Sequence, residues 1–139
     1  MSQTIDKIFL SHAEKQGDNP ALTDTKGRQR LGLSTIEQLT YRQAKRYVTA
    51  AAAYFRQFQF SEGDIVIVQM PNIAETHLIM LALLNAGLVP CPIPTHWRRA
   101  EIDPALKNLK PRAIISHQSS PDNDPFQSMF EVAANHASI

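Results

Sequence analysis

The residues best equipped for chemistry in this 139-residue chain are four in a row, His96-Trp97-Arg98-Arg99. They follow the apolar, proline-rich run Leu88-Val89-Pro90-Cys91 and open a charged segment from Arg98 to Lys110. Two guanidiniums can grip a phosphate or carboxylate through paired N–H donors, and an indole can stack on a planar acid, so these four are the candidate substrate-binding residues. In the competing reading Trp97 packs on the preceding prolines, and the arginines are solvated or pair with Glu101 and Asp103. That is the commoner fate of arginine near acidic residues. Little else in the chain supports chemistry. His12, His77, His96, His117 and His136 share no metal-ligand spacing and Cys91 stands alone, so no metal site is expected. Cys91 has no neighbouring base and reads as a small buried hydrophobe. Asp6, Glu14, Glu62 and Asp64 read as capping, turn or solvated charges, and no carboxylates pair on one face as acid–base catalysis requires. Glycines at 17, 27, 32, 63 and 87 are too scattered to cradle a phosphate, so neither catalytic nor cofactor-binding residues are expected.

Composition narrows the function classes. Fourteen Lys and Arg against thirteen Asp and Glu leave a net charge of +1, too balanced for binding nucleic acid or an anionic membrane through bulk electrostatics. One cysteine excludes an intrachain disulfide and fits a reducing compartment. The segment Met1 to Asp6 has neither a basic leader nor an apolar core, and the longest apolar stretch, Leu78 to Val89, is broken by Asn85 and Gly87. A cytoplasmic protein is expected, with no nucleic-acid or membrane partner.

The elements that would position the four residues form one block. The turn Ser61-Glu62-Gly63-Asp64 leads into the apolar run Ile65 to Gln69, and Met70-Pro71-Asn72 leads into a helix from Ile73 to Ala86. Gly87 sits where a helix end favours a left-handed residue, and Leu88 to Cys91 follows as a second strand. A helix from Arg98 to Lys110 leads to a third strand, Ala113 to Ser116. Strand–helix–strand–helix–strand with continuous apolar runs predicts an α/β fold: a small parallel sheet with flanking helices. Ile67 and Ile114 are expected to be almost fully buried. Pro90, Pro92 and Pro94 limit how far the second strand can pair. Asn72, with Glu75 three residues on, is the expected cap of its helix. Upstream, apolar spacing predicts a helix from Thr4 to Gln16. A short N-terminal hairpin follows, Ala21–Asp24 with Gln38–Thr40, and then a helix from Tyr41 to Phe58 opened by a Thr40/Gln43 capping box. Its buried stripe is read as Ala44, Val48, Ala51, Phe55 and Phe58. Asp124-Pro125 starts a last helix running to about His136.

Several strings occur in order along this block: Leu39-Thr40-Tyr41-Arg42, Glu62-Gly63-Asp64, Gln69-Met70-Pro71-Asn72-x-x-Glu75, and Leu83-x-x-Ala86-Gly87-Leu88-Val89-Pro90. Together they resemble the N-terminal region of the adenylate-forming enzymes, the AMP-dependent acyl-CoA synthetases and aryl-acid adenylating ligases. The segment Thr95 to Ile102 running into Pro111 to Ile115 is similar to the aryl-acid and alicyclic-acid branch. The resemblance implies the first part of the large domain of such a ligase. It also implies a full-length enzyme that uses ATP and magnesium to activate an acid, then hands the acyl group to coenzyme A or a phosphopantetheine carrier. The Pro-Lys-Gly phosphate loop, the ribose-binding acid and the catalytic lysine of the family have no match here. Residues 1–139 are therefore read as a partial N-terminal subdomain, with the catalytic regions and C-terminal lid absent. It would be a scaffold inactive by itself, whose partner is the remainder of the ligase. The alternative is a free-standing interaction or oligomerisation module derived from such a ligase, self-associating through an unfinished sheet edge.

Overall fold

The structure, a computed structural model, describes residues 4–24, 27 and 38–117. The first helix, α1 (Ile5–Lys15), is followed by a two-stranded antiparallel hairpin, β1 (Pro20–Thr23) with β2 (Gln38–Thr40). Then come α2 (Tyr41–Phe55), β3 (Ile65–Gln69), α3 (Ala74–Asn85), β4 (Val89–Pro92), α4 (Arg99–Leu109) and β5 (Ala113–Ser116). The expected last helix lies outside the described residues.

The expected parallel sheet forms, in the order β4-β3-β5, with β3 parallel to both neighbours. Ile67 aligns with Cys91 on one side and Ile114 on the other. Central placement buries Val66, Ile67, Val68 and Gln69 almost completely, which is why this run is continuous rather than alternating. One face packs Val66 and Val68 against Leu83 and Leu88 of the α3 unit, and the other packs Ile67 against Ile102 and Leu106 of α4. Ile114 is only half-buried, against expectation, as are all four residues of β5. This strand has β3 on one side and no partner strand among the described residues on the other.

Helix ends follow local chemistry. The Thr40/Gln43 capping box of α2 is present: Thr40 Oγ1 accepts from the Gln43 N–H at 3.3 Å, and Gln43 Oε1 accepts from the Thr40 N–H at 2.9 Å. Helix α3 ends in a Schellman arrangement. Gly87 adopts φ +83°, its N–H reaches Leu84 O at 3.0 Å, and the Leu88 N–H reaches Leu83 O at 2.9 Å. Asn72 does not cap α3. The cap position is Ile73, Asn72 is exposed, and the Ala74 N–H is satisfied by Asp24 Oδ2 at 3.1 Å, a carboxylate that directly follows β1.

Helix α2 stops at Phe55, short of the expected Phe58, and Phe58 is exposed, edge-on to Tyr54. Its buried line is Ala44, Val48 and Ala52, each fully buried, with Ala51 and Phe55 on the shoulder. An i, i+4, i+8 row is one ridge of the helix, and its small residues let α2 meet Leu78 and Ala82 of α3 closely. Asp6, expected to be a solvated or capping charge, is buried and accepts from Asn85 Nδ2 at 3.2 Å. Burial pushes its carboxyl up, but bonds from the Thr4 and Asn85 side chains and from backbone N–H groups hold it below the ordinary aspartate range. Arg56 Nη2 donates to Asn85 Oδ1 at 2.9 Å, so Asn85 ties α1 to the end of α2.

Replacing Ala52 with lysine places an unpaired charge and excess volume on the α2–α3 ridge, and stability is expected to fall by roughly 2–4 kcal/mol. The same change at exposed Ala53 is expected to stay within about 0.5 kcal/mol, read from denaturant melts of the two variants.

Candidate functional site

All four candidate residues lie where β4 hands over to α4, at the carboxyl edge of the parallel sheet, the edge at which ligands of open α/β sheets gather. The strand keeps pairing one residue past its end, with the Ile93 N–H on Val68 O at 3.0 Å. The chain then turns, and the Trp97 N–H closes on Pro94 O at 3.2 Å. Pro92 and Pro94 remove N–H donors from this stretch, which leaves its carbonyls to be satisfied by side chains.

Two side chains do so. Gln69, at the end of β3 and fully buried, donates through Nε2 to Pro94 O at 3.1 Å and Trp97 O at 3.3 Å. Arg98 donates through Nη1 to Thr95 O at 2.9 Å and Trp97 O at 3.0 Å. The Trp97 carbonyl is thus held from both sides.

The four residues divide by role. Trp97 is half-buried against the cluster of Ile67, Ile93, Ile102 and Leu106, a deeper seat than the prolines of the competing reading. Arg98 spends its guanidinium on loop carbonyls, while its backbone N–H is accepted by Glu101 Oε2 at 2.9 Å, reaching back from the first turn of α4. Asp103 pairs with Lys107 at 2.7 Å. His96 and Arg99 are exposed and face solvent. The Glu101 carboxyl is held below the ordinary glutamate range, first by the Arg98 backbone N–H and its own, which outweigh the opposing effect of burial, and then by the nearby His96 and Arg98 side chains. Its contribution to the loop is therefore present above the ordinary glutamate pKa and lost as pH falls through the depressed value.

A further set of residues, to which the sequence assigned no polar role, sits at the same edge. Ser116 ends β5 in register with Gln69, and the next N–H, that of His117, reaches Gln69 O at 3.3 Å. Gln69 Oε1, Ser116 Oγ and His117 Nε2 are all buried without a hydrogen-bond partner. The only sequence signal was polar residues closing apolar strands.

The remaining candidates behave as side chains of the fold. His77 Nδ1 lies 3.1 Å from Ile73 O within α3, and His12 packs near the Tyr41 ring. Cys91 is half-buried against the α4 cluster. Among the described residues no three His, Cys, Asp or Glu are grouped to hold a metal ion, and no helix is long and apolar enough to cross a membrane. Gly63 serves the turn before β3 at φ +85°, Gly87 closes α3, and Gly17 is buried against Arg42. An apolar groove of about 450 Å³, lined by Tyr54, Phe55, Phe58, Phe60, Leu83 and Ile115, lies on the α3 face and so away from the loop.

Replacing Arg98 with methionine removes two charge-assisted bonds to backbone carbonyls and is expected to cost about 1–3 kcal/mol in a denaturant melt. Arg99→Met is expected to stay within about 0.5 kcal/mol. The Glu101 carboxyl is expected to titrate below the ordinary glutamate midpoint by carbon-detected NMR, and Arg98→Met is expected to move that midpoint upward.

Comparison with known proteins completes the site. The family profile described as AMP-binding enzyme matches residues 9–138. Pseudomonine synthase PmsE of Pseudomonas entomophila is 29% identical over 128 residues, covering 90% of this chain and 20% of that protein. Enterobactin synthase component E of Escherichia coli is 26% identical over 104 residues, covering 73% of this chain and 19% of that protein. This chain therefore spans about a fifth of the length of these relatives. Among solved structures, Klebsiella oxytoca NpsA in complex with 3-hydroxyanthranilyl-AMSN superposes with a TM-score of 0.72 at 24% identity, over 87% of this chain and 23% of that one. VinN in complex with L-aspartate gives 0.75 at 16% identity, over 91% and 30%. At these identities the structures speak for the fold, and the match over nearly the whole chain speaks for descent: the protein belongs to the family of AMP-binding enzymes, and its fold is that of their N-terminal subdomain.

Proposed function

We propose that this chain is the N-terminal scaffold of an ATP-dependent ligase that activates a carboxylic acid, of the aryl or alicyclic class, for transfer to a thiol. The observation that carries this reading is the carboxyl edge of the sheet. It presents a loop braced by Gln69 and Arg98, with His96 and Arg99 exposed on its surface. In this reading ATP, magnesium and the thiol, as coenzyme A or a phosphopantetheine carrier, belong to the whole enzyme, and this segment supplies none of their ligands. His96 and Arg99 are the solvent-facing groups through which the loop meets an anion, while Trp97 and Arg98 hold the loop in place. The remainder of the ligase is the partner, and the cytoplasm is its setting. Similarity to pseudomonine synthase and enterobactin synthase component E supports the aryl branch. Similarity to a propionate–CoA ligase of Escherichia coli, 31% identical over 77 residues, supports the thiol transfer.

A second reading, a free-standing interaction or oligomerisation module, draws on a different observation. Tyr54 and Phe58, 56% and 47% exposed, border the apolar groove beside β5. Such a patch favours self-association.

ATP–pyrophosphate exchange tests the scaffold reading. The 139-residue chain, given ATP, magnesium and a panel of aryl and alicyclic acids, is expected to show no acid-dependent exchange. Exchange would overturn the scaffold reading. Sedimentation equilibrium of the same sample adds the second test: a stable oligomer dissociated by Tyr54→Ser with Phe58→Ser favours the module.

A further inference from the structure

We propose that Gln69 is the positioning residue of the 94–98 loop: through its buried carboxamide, strand β3 sets where His96 and Arg99 stand. The proposal rests on the reading of that loop as the anion-facing edge of the ligase, and it names the group that gives the edge its place.

Gln69 is the last residue of the central strand and is fully buried in a run otherwise made of isoleucine and valine. Placing an amide there is unfavourable unless its polar atoms find partners. Nε2 finds two, Pro94 O and Trp97 O, the first and fourth residues of one turn. The same turn is closed internally by the Trp97 N–H on Pro94 O. One amide group therefore bridges both ends of the turn and anchors it to the central strand of the sheet.

The geometry also fixes which way the amide points. Rotating it by half a turn would set Oε1 against two carbonyl oxygens, which repel it. Oε1 is thus held away from the two carbonyls, buried and without a partner, on a residue in register with Ser116 of β5. A hydrophobic residue of the same length would fill the space but leave both carbonyls to Arg98 and the closing N–H alone. The ionisable or charged groups around the amide are Arg98, which shares the Trp97 carbonyl, His96 in the loop, Glu101 at the start of α4 and His117 after β5.

The test uses the 139-residue chain and needs neither acid nor nucleotide, so its failure is separate from failure of the ligase reading. Amide hydrogen exchange is followed at Trp97, within the turn, and at Ile93, whose N–H bonds Val68 O of the sheet. In Gln69→Met, Trp97 is expected to exchange about fivefold faster or more, the effect of losing one net hydrogen bond, while Ile93 stays protected. Unchanged exchange at Trp97 would overturn the proposal, and so would equal acceleration at both amides, the mark of a residue that only fills space.

Gln69→Glu supplies the second measurement. A carboxyl in this position donates to the turn only when protonated, and when ionised it faces two carbonyl oxygens. Emission from Trp97, the chain's one tryptophan, is expected to be native-like at acid pH and red-shifted as pH rises, with no such transition in the wild type. If Gln69→Met does not fold, this pH-dependent recovery decides. Its presence supports the positioning role and its absence overturns it.

Discussion

A strand with neighbours on both sides and helices on both faces is nearly cut off from water, and its polar groups depend on protein for their partners. That is the condition of β3. Its backbone is committed to β4 and β5, and its side chains fill two separate cores, Val66 and Val68 on one face and Ile67 on the other. Because both pairings are parallel, the chain must cross from one end of the sheet to the other between strands. The first crossing runs from the middle strand out to β4 and the second runs back past the middle to β5, so the two move in opposite directions, and the right-handed rule for such connections then puts α3 and α4 on opposite faces. The central strand thereby determines where both helices stand.

The same condition explains the loop at the carboxyl edge. As β3 ends, the demand for partners passes to Gln69, whose side chain turns a backbone requirement into a contact across the sheet's end. Arg98 answers the same carbonyl from the outer side. Chemistry that looks functional in a sequence, two arginines beside a tryptophan, is thus split by the fold. One arginine and the indole become part of the support, and the other arginine and His96 remain available at the surface.

How much of this was legible in the residues depended on the range of the interaction. The three parallel strands were plain because buried strands leave continuous apolar runs, and the capping box and Gly87 were plain because their partners lie within a few residues. The α2 stripe was read one position early at Ala51. A row of neighbouring alanines offers no contrast in size or polarity to mark which of them faces α3. Asn72 was taken as a cap because its type and position suit one, whereas the carboxylate that does the work, Asp24, arrives from the end of β1. Gln69 escaped notice for a related reason. Its partners are backbone carbonyls, which carry no residue identity and exist only once the loop has turned. Likewise, Ile114 looks as apolar as Ile67, but being at an edge is a property of the sheet and not of the strand's own residues.

The register of β4 has a consequence for how the sheet is built up during synthesis. The N–H groups of Val89 and Ile93 point inward to Asp64 O and Val68 O of the central strand. In a parallel strand alternate residues face opposite neighbours, so the outward donors would belong to residues 90 and 92, and both are proline. The outer side of β4 therefore offers carbonyls but no donors at these positions, and an incoming strand cannot complete a ladder there. As the chain leaves the ribosome, β3 and β4 emerge before β5. During that interval the nascent pair has one edge able to accept a new strand, the free side of β3, and that is where β5 docks. The prolines thus act in time as well as in space, leaving a growing chain a single direction in which to add to its sheet.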